Sequence, residues 1–452
     1  MSEPATSTVD ANLDRLSDLI AAARRAGADA ADAILAEGLS LSQAQRLGKT
    51  ENLERAEGRD LGLRVFVGRR QAIVSSSDLS PAALDELVGR ALSMARGVPE
   101  DPFCGLAPSE LLAGKVPDLD IDDPVEPSPE TLIDWARRAE DAARAVPGVT
   151  NSEGAQSSWS RSRVAMAASN GFARAYGVAH VSISASVLAG EGTGMERDYD
   201  YTAAVHAEDL LSPEAVGQSA GEKAVARLKP RKVRSAQVPV VYDPRASRSL
   251  LGHLSSAING ASVARGTTFL KDKLGQRLFP ENITVVDDAL RQRGLRSKPF
   301  DAEGVATRRR EIVKNGVLTG WILDLRSARQ LGLETTGNAS RGTSSPPSPS
   351  ATNLYLEAGK LSPAELMADI KEGLYITELI GFGVNGVTGD YSRGAAGFWI
   401  ENGRIAYPVS EVTVAGSLLD MFAHISAAND LVMRYGTDAP TLRVDGMTVA
   451  GN

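Results

Sequence analysis

The sequence predicts an α+β protein, with mixed helix and sheet regions in the N-terminal half and a large, mainly antiparallel β domain at the C-terminus. Three observations carry this prediction. Ser-Pro pairs open amphipathic stretches, and Asn-Gly pairs separate β-prone runs. The chain also has 43 glycines but only 5% aromatic residues, which favours a turn-rich sheet protein over a helical bundle. Because turns rather than crossover helices connect most strands, an antiparallel arrangement is expected.

Four Ser-Pro pairs mark the predicted helix starts. A serine side chain satisfies the free amides of a first helical turn, and proline is pre-set for the first helical position. The pair that precedes Glu365 also has the spacing of a capping box. The pairs are Ser80-Pro81, Ser128-Pro129, Ser212-Pro213 and Ser362-Pro363.

Three Asn-Gly pairs predict tight hairpins, because both residues of a type I′ turn adopt positive φ at low cost. Each pair stands between two runs of strand-forming residues. The pairs are Asn170-Gly171, Asn315-Gly316 and Asn402-Gly403.

Composition shifts divide the chain into three predicted regions: an N-terminal α+β domain over 1–115, a central helix-and-sheet region over 116–234 and a β-rich domain over 235–452. The basic run 229–234 is interpreted as a solvated linker. The low-complexity segment 337–353 is too polar to be expected in a core. We expect it to form a mobile lid or a partner-binding loop.

Charge and composition limit the classes of partner. A net charge of −8 and a pI near 5.3 argue against direct nucleic-acid binding. No apolar run approaches the ~20 residues of a membrane span, and residues 1–10 lack the features of a signal peptide. Cys104 is the only cysteine, which fits the reducing cytoplasm. It is interpreted as a small apolar filler rather than a nucleophile.

Two motif matches are weak in their context. The run from Gly381 to Gly386 fits G-x-G-x-x-G but leads into a predicted strand, so a dinucleotide site is not favoured. A glycine-rich wall that admits another backbone fits better. Gly217 to Gly221 fits G-x-S-x-G but lies inside a predicted helix, where a nucleophile elbow cannot form.

Ionisable residues do not form a complete catalytic set. The histidines His180, His206, His253 and His424 show no close metal-ligand spacing. The carboxylate pairs Asp287 with Asp288 and Glu196 with Asp198 are expected to cap strand ends or face solvent. From the residues alone, no catalytic residue is assigned.

From about Ala236 onward the sequence resembles the C-terminal domain of the TldD/PmbA family, and a weaker resemblance extends through the N-terminal region. No single segment decides this, but their order and spacing are specific in combination. The segments are 242–253 (YDPRASRSLLGH), 282–288 (NITVVDD), 300–304 (FDAEG), 315–320 (NGVLTG), 336–338 (TGN) and 400–403 (IENG) through Tyr407 and Pro408.

The family resemblance implies where a metal would be bound. In TldD-type subunits a helix carries H-E-x-x-x-H, and a further ligand lies near the C-terminus. The corresponding stretch here begins at His253, with Leu254 in place of the acid and Ile258 in place of the second histidine. This pattern is similar to the TldE-type (PmbA-type) subunit, so the resemblance implies no metal and no cofactor in this chain and zinc in its partner.

The resemblance further implies a role as the non-metal-binding partner subunit of a cytoplasmic heterodimeric metallopeptidase that cleaves unfolded or extended peptides. The expected partners are a TldD-type subunit and peptide substrates, with a possible homodimer when the chain is alone. No direct nucleic-acid or membrane partner is expected. Two alternatives stay open: an independent enzyme that assembles a metal from scattered His, Asp and Glu, and a homodimeric peptide-binding or adaptor protein without a peptidase role.

A substrate cleft is predicted around the glycine-rich segment. An extended peptide would add to a sheet edge there, with main-chain hydrogen bonds giving sequence-tolerant affinity. The glycines of 381–389 and 394–397 would permit its approach, and valine at Gly383 or Gly386 would slow cleavage without disturbing the fold. The candidate cleft residues are His253, Gly381, Gly383, Asn385, Gly386, Thr388 and Arg393.

Overall fold

The structure is a computed structural model that describes residues 5–451, with side chains described from residue 10. The first four residues of the segment tested for a signal peptide therefore lie outside the described residues. The α+β class is confirmed. The N-terminal half contains α1 (Ala5–Arg25), β1 (Ala30–Arg46), β2 (Lys49–Val67), β3 (Arg70–Ser76), α2 (Pro81–Gly97), α3 (Pro129–Ala145), β4 (Val149–Ala168), β5 (Ala173–Ala189), β6 (Glu196–Ala204) and α4 (Pro213–Ala226).

The six N-terminal strands form one antiparallel sheet in the order β3-β2-β1-β4-β5-β6. All four helices cover the same face of this sheet, because residues of one parity along each strand point to one side. Helices α1 and α2 bury Leu35 and Leu63 at one end of the sheet. Helices α3 and α4 bury Ile183 at the other end. The face therefore has two separate helical layers.

The predicted helix caps are largely present. Ser128 and Ser212 accept hydrogen bonds from backbone amides of the first turns of α3 and α4. Ser362 and Glu365 form the reciprocal capping box. Ser80 differs, because it lies before α2 in extended backbone but makes no side-chain cap bond.

The Asn-Gly pairs behave as predicted at two of three sites. Asn315 and Asn402 both have positive φ (48° and 49°), as do the glycines that follow them. At the third site only Gly171 has positive φ, and the turn is longer. The Asn170 side chain instead donates to the carbonyl of Ala107. The turn at this hairpin therefore differs from type I′ where Asn170 binds a residue outside the hairpin.

The C-terminal half forms a closed sheet and a smaller open one. Its elements are β7 (Ala236–Tyr242), α5 (Pro244–Ala257), α6 (Gly260–Ala264), β8 (Val285–Asp288), β9 (Arg309–Lys314), β10 (Val317–Leu318), α7 (Leu325–Leu331), β11 (Ala339–Ser340), β12 (Ser348–Pro349), β13 (Leu354–Leu356), α8 (Pro363–Met367), β14 (Glu372–Ile380), β15 (Asp390–Glu401), β16 (Arg404–Ser417), α9 (Leu418–Ala423), β17 (Ile425–Ala427), β18 (Thr437–Asp438) and β19 (Leu442–Ala450).

The closed sheet has the order β16-β15-β14-β7-β19-β17. A further pairing of β16 with β19 closes five of these strands into a ring and leaves β17 at its edge. All of its pairings are antiparallel except that of β14 with β7. The second sheet has the order β10-β9-β8-β13-β18. Helix α5 packs its apolar face into the core that these sheets share, with Leu250 and Leu254 buried.

The segment 337–353 packs against the rest of the protein, so the expectation that it is too polar to do so is wrong. Asn338 is buried and donates to Asp287 at 2.7 Å. Arg341 reaches the N-terminal sheet, where its Nη1 donates to Asp32 at 2.6 Å. Polar side chains can be buried when they find hydrogen-bonding partners, and Asn338 and Arg341 find theirs in residues far away in sequence.

The carboxylates at the strand ends were also expected to cap or face solvent, and two of them do neither. Asp287 is buried and accepts from the amide and hydroxyl of Thr352, at 2.6 and 2.9 Å. Asp198 is buried beside Arg245, at 2.8 Å, and Arg227, at 3.5 Å. Both carboxylates hold structural contacts between distant segments.

Candidate functional site

A cavity of about 330 Å³ lies between α5, α6 and the loop that joins β14 to β15. Its volume falls at the lower end of the range of about 300–1,000 Å³ for small-ligand sites. Three of the predicted cleft residues line it. The lining residues are His253, Ser256, Ala257, Ser262, Thr267, Phe269, Phe382, Val384, Gly386, Arg393 and Leu418.

His253 is presented to the cavity by α5. Asp243 caps this helix by accepting from the amide of Arg245 at 2.9 Å. The imidazole ring meets Tyr391 edge-on, with ring centroids 5.9 Å apart. Within the described chain its Nε2 has no hydrogen-bonding partner. Burial, and then the charge of Arg393, lower the pKa of His253, so the ring is neutral at pH 7 and free to donate or accept one hydrogen bond.

Arg393 supplies the positive charge of the cavity. It lies on β15, and its Nε donates to the carbonyl of Ile380 at 3.3 Å. This contact holds the guanidinium over the start of the glycine-rich loop. A neutral imidazole and a fixed guanidinium side by side suit a carbonyl or carboxylate oxygen.

The predicted polar contacts Asn385 and Thr388 do not line the cavity. The side-chain oxygen of Asn385 accepts from the amides of Val387 and Thr388, at 2.9 and 3.3 Å. The hydroxyl of Thr388 donates to Asp390 at 2.5 Å. These polar groups are therefore used to shape the loop, as is typical of Asx turns.

The glycines of this loop have different roles. Gly381 has a φ of +78°, which favours glycine. A Cβ on Gly383 would lie 1.8 Å from the carbonyl oxygen of Ser392, whereas one on Gly386 would meet nothing within 4 Å. The expectation that valine at either position would leave the fold intact is therefore wrong for Gly383. The loop also ends in β15 without opening a helix, so it lacks the geometry of a dinucleotide site.

The predicted sheet edge is absent at this place. Strand β15 pairs with β14 on one side and with β16 on the other. A Cβ on Gly397 would lie 1.9 Å from the carbonyl oxygen of Tyr375, and one on Gly394 would lie 3.3 Å from Ile380 Cβ. These glycines serve the packing of β14 on β15, so a peptide cannot add to this strand as predicted.

The apolar wall of the cavity was not predicted from the sequence. Phe269 and Leu418 come from other segments and meet the glycine-rich loop there. Phe382 is fully exposed (100%) at the rim. Its signal in the sequence was a single aromatic residue inside a glycine-rich run.

Two other reactive side chains are engaged elsewhere. Ser219 of the G-x-S-x-G match lies inside α4, and its hydroxyl donates to Asp200 at 2.5 Å. Cys104 is half-buried, and burial followed by the charge of Asp101 raises the pKa of its thiol. A raised pKa reduces the reactive thiolate, which agrees with the filler interpretation.

The residues around His253 do not fit a catalytic metal. Leu254 and Ile258 have no exposed surface (0%) and belong to the C-terminal core. Across residues 5–451, no three His, Cys, Asp or Glu side chains are arranged to hold a metal ion. His206 does approach two carboxylates, Asp120 at 3.0 Å and Asp123 at 3.6 Å, but through its two different ring nitrogens. A metal needs these donors to converge on one point.

Three segments match domains of one family: PmbA/TldA metallopeptidase domain 1 over residues 31–95, the central domain over 122–228 and the C-terminal domain over 235–451. The chain belongs to the PmbA/TldD metallopeptidase family. It is 40% identical over 425 residues to the metalloprotease PmbA of Escherichia coli, covering 94% of this chain and 92% of that protein. It is 36% identical to a metalloprotease PmbA homolog of Haemophilus influenzae, covering 95% and 94%.

Solved structures share this fold. A protein from Bacteroides thetaiotaomicron, described as a candidate modulator of DNA gyrase, superposes with a TM-score of 0.91 at 27% identity and covers 98% of this chain and 99% of that one. TldE from Thermococcus kodakarensis superposes with a TM-score of 0.86 at 21% identity, covering 97% and 100%. The fold of the PmbA/TldD family thus extends over nearly the whole chain. In the described part, no helix is long and apolar enough to cross a membrane.

Proposed function

We propose that this chain is the metal-free partner subunit of a two-subunit metallopeptidase and that the cavity around His253 forms part of a shared peptide cleft. The main support comes from helix α5 and its C-cap residue, because Leu254 stands in place of the acid and Ile258 in place of the second histidine, and both are buried in the core. The relatives named metalloprotease PmbA support a peptidase assembly. The proposed metal-bearing partner is a TldD-type subunit, with zinc in that subunit.

The cavity supports a role in holding extended peptide rather than in the bond-breaking step. Arg393 would attract a backbone carbonyl or a terminal carboxylate, and neutral His253 would add one hydrogen bond. Phe269, Phe382 and Leu418 supply apolar surface for a substrate side chain. The binding groups are few and not specific for one side chain, which suits a peptidase with varied substrates.

The proposed cellular setting is the cytoplasm. The single cysteine cannot form an intrachain disulfide, which is typical of proteins in a reducing compartment. The proposed substrates are unfolded or extended peptides, and the chain alone is proposed to form a homodimer when its partner is absent.

Reconstitution with a TldD-type subunit tests the proposal. We expect the two chains to co-purify and to cleave an unfolded peptide, and we expect Gly386→Val to slow that cleavage by roughly tenfold or more, because small misplacements in a cleft are costly. A valine at Gly386 meets open space, so its melting temperature should match that of wild type. Gly114→Val, at an exposed glycine with equally open space, is the matched control.

Two results would contradict the proposal. Failure of the chains to co-purify would favour the homodimeric adaptor alternative. Equal cleavage by the wild-type and Gly386→Val complexes would show that the cavity is not part of the peptide cleft. It would not contradict the partnership of the two subunits.

A further inference from the structure

A second and larger cavity, of about 630 Å³, lies on the N-terminal sheet and shares no residue with the His253 cavity. It occupies the helix-covered face, in the gap between the α1–α2 layer and the α3–α4 layer. The segment before α3 closes one side. The lining residues are Glu37, Gly38, Leu39, Glu57, Gly58, Arg59, Pro124, Glu126, Trp159, Arg161 and Arg163.

The strand register places the charged residues of this cavity in one row. Glu37 of β1 is directly opposite Arg59 of β2 and Arg163 of β4. Directly opposite residues share one face of a sheet and lie about 5 Å apart. The same face is apolar on both sides of the row, since Leu35 and Leu41 are buried. The row is therefore a polar break in an otherwise apolar surface.

The cationic side of the cavity is only partly neutralised by the protein. Arg161, on the neighbouring row, is held by Asp122 through two bonds of 2.6 and 2.8 Å. Among the side chains described, residues 10–451, Arg163 has no carboxylate oxygen within 4.0 Å. Arg59 lies near Asp78, whose pKa is lowered by hydrogen bonds from Ser80 and then by the charge of Arg59. Glu37 accepts one bond from Asn12 at 2.8 Å through Oε2, which leaves its other oxygen available. Two guanidiniums and one carboxylate therefore stand side by side on a rigid sheet.

The remaining wall is apolar and carries an unused donor. Trp159 is only 3% exposed, and its Nε1–H has no acceptor in the described chain. Leu39 and Pro124 add apolar surface. A buried donor without an acceptor is unfavourable, and a ligand oxygen would remove that deficit.

We propose that this cavity binds a short zwitterionic peptide, a di- or tripeptide with an apolar side chain. Its carboxylate would bind Arg163 on β4, its ammonium group would bind Glu37 on the neighbouring β1, and its side chain would pack on Leu39 and Trp159. Two extended residues span about 7 Å, which suits groups on neighbouring strands about 5 Å apart.

Calorimetric titration of the isolated full chain with L-leucyl-L-leucine tests the site. We expect saturable binding at one site, and we expect Arg163→Gln to weaken it by roughly tenfold, since a charge-assisted bond is lost. Arg69→Gln is the matched control, because Arg69 is an exposed arginine at the β2–β3 turn, outside the cavity. Melting temperatures of both variants establish that they are folded.

Peptides with one blocked terminus show which residue binds each end of the ligand. The C-terminal amide of the dipeptide should bind weakly and be insensitive to Arg163→Gln, and the N-acetylated dipeptide should bind weakly and be insensitive to Glu37→Gln. The proposal is overturned if the free dipeptide fails to bind at millimolar concentration, if the doubly capped peptide binds equally well, or if Arg163→Gln changes nothing. The site does not depend on the proposed peptidase role, because binding is measured without a partner subunit.

Discussion

At the scale of single residues, buried charges connect the two halves of the chain. Asp32 on β1 accepts from Arg64 Nε at 2.8 Å and from Arg341 of the segment 337–353 at 2.6 Å. Burial alone would raise the pKa of Asp32, but Arg341 and Arg64 outweigh it and the pKa is lowered. The Asp32 carboxylate thus accepts hydrogen bonds from both buried guanidiniums.

Loss of this anion should be costly. Asp32→Asn leaves two buried cations without their shared partner, and we expect the free energy of unfolding to fall by about 3–5 kcal/mol. The control is Asp369→Asn, which breaks the pair of Arg443 with an aspartate that is 73% exposed. That change should cost less than about 1 kcal/mol. Urea unfolding measures both, and equal losses would refute a special role for Asp32.

Glu303 lies beside this cluster, with Oε1 4.0 Å from Arg64 Nη1 and Oε2 accepting from the amide of Leu325 at 2.8 Å. Burial, and then the charge of Asp301, raise the pKa of Glu303 to about 8. A carboxyl with a raised pKa binds its proton more tightly in the folded state. Its contribution to stability is therefore complete below its unfolded pKa and is lost as the pH rises toward about 8.

Glu303→Gln should remove this pH dependence, because the amide resembles the protonated carboxyl at every pH. We expect the melting temperature of the variant, relative to wild type, to increase between about pH 5 and about pH 8. Thermal unfolding at several pH values measures the difference. A constant difference would show that Glu303 does not titrate in this range.

At the scale of elements, the sequence predicted those features that depend only on neighbouring residues. The serine caps of α3, α4 and α8 and two type I′ turns follow from adjacent residues. The closure of β16 onto β19 could not be predicted in this way, because it depends on partners far apart in the chain. The burial of 337–353 was missed for the same reason, since Arg341 binds Asp32 on a distant strand.

The glycine-rich loop gives an element-scale prediction. Gly383→Ala would place a methyl group 1.8 Å from the Ser392 carbonyl oxygen, so we expect a loss of about 1–3 kcal/mol in unfolding free energy. Gly386→Ala meets open space and should change that energy by less than about 0.5 kcal/mol. Denaturant unfolding compares them, and equal stability of the two variants would contradict the assigned roles.

At the scale of the whole molecule, the candidate site could be predicted only in part. Resemblance to the metal helix and the glycine-rich pattern located His253, Gly386 and Arg393, which the fold brings to one cavity. Asn385 and Thr388 were nearby in sequence but are used within the loop. Phe269 and Leu418 could not be found, because only the packing of α6 and α9 against the loop places them there.

The central claim is that the chain has lost the metal while keeping the fold of a metallopeptidase subunit. Helix α5 supports this proposal, because Leu254 at the acid position and Ile258 at the second histidine position belong to a hydrophobic core. We propose that such a chain contributes to peptide cleavage only through binding and assembly. Its activity should therefore depend entirely on the partner's metal.

Elemental analysis of the purified complex and of each separated chain tests this claim most directly. We predict zinc bound in stoichiometric amount by the complex and by the TldD-type subunit, and none above background in this chain. Zinc retained at one equivalent by this chain alone, after dialysis against a mild chelator, would contradict the claim.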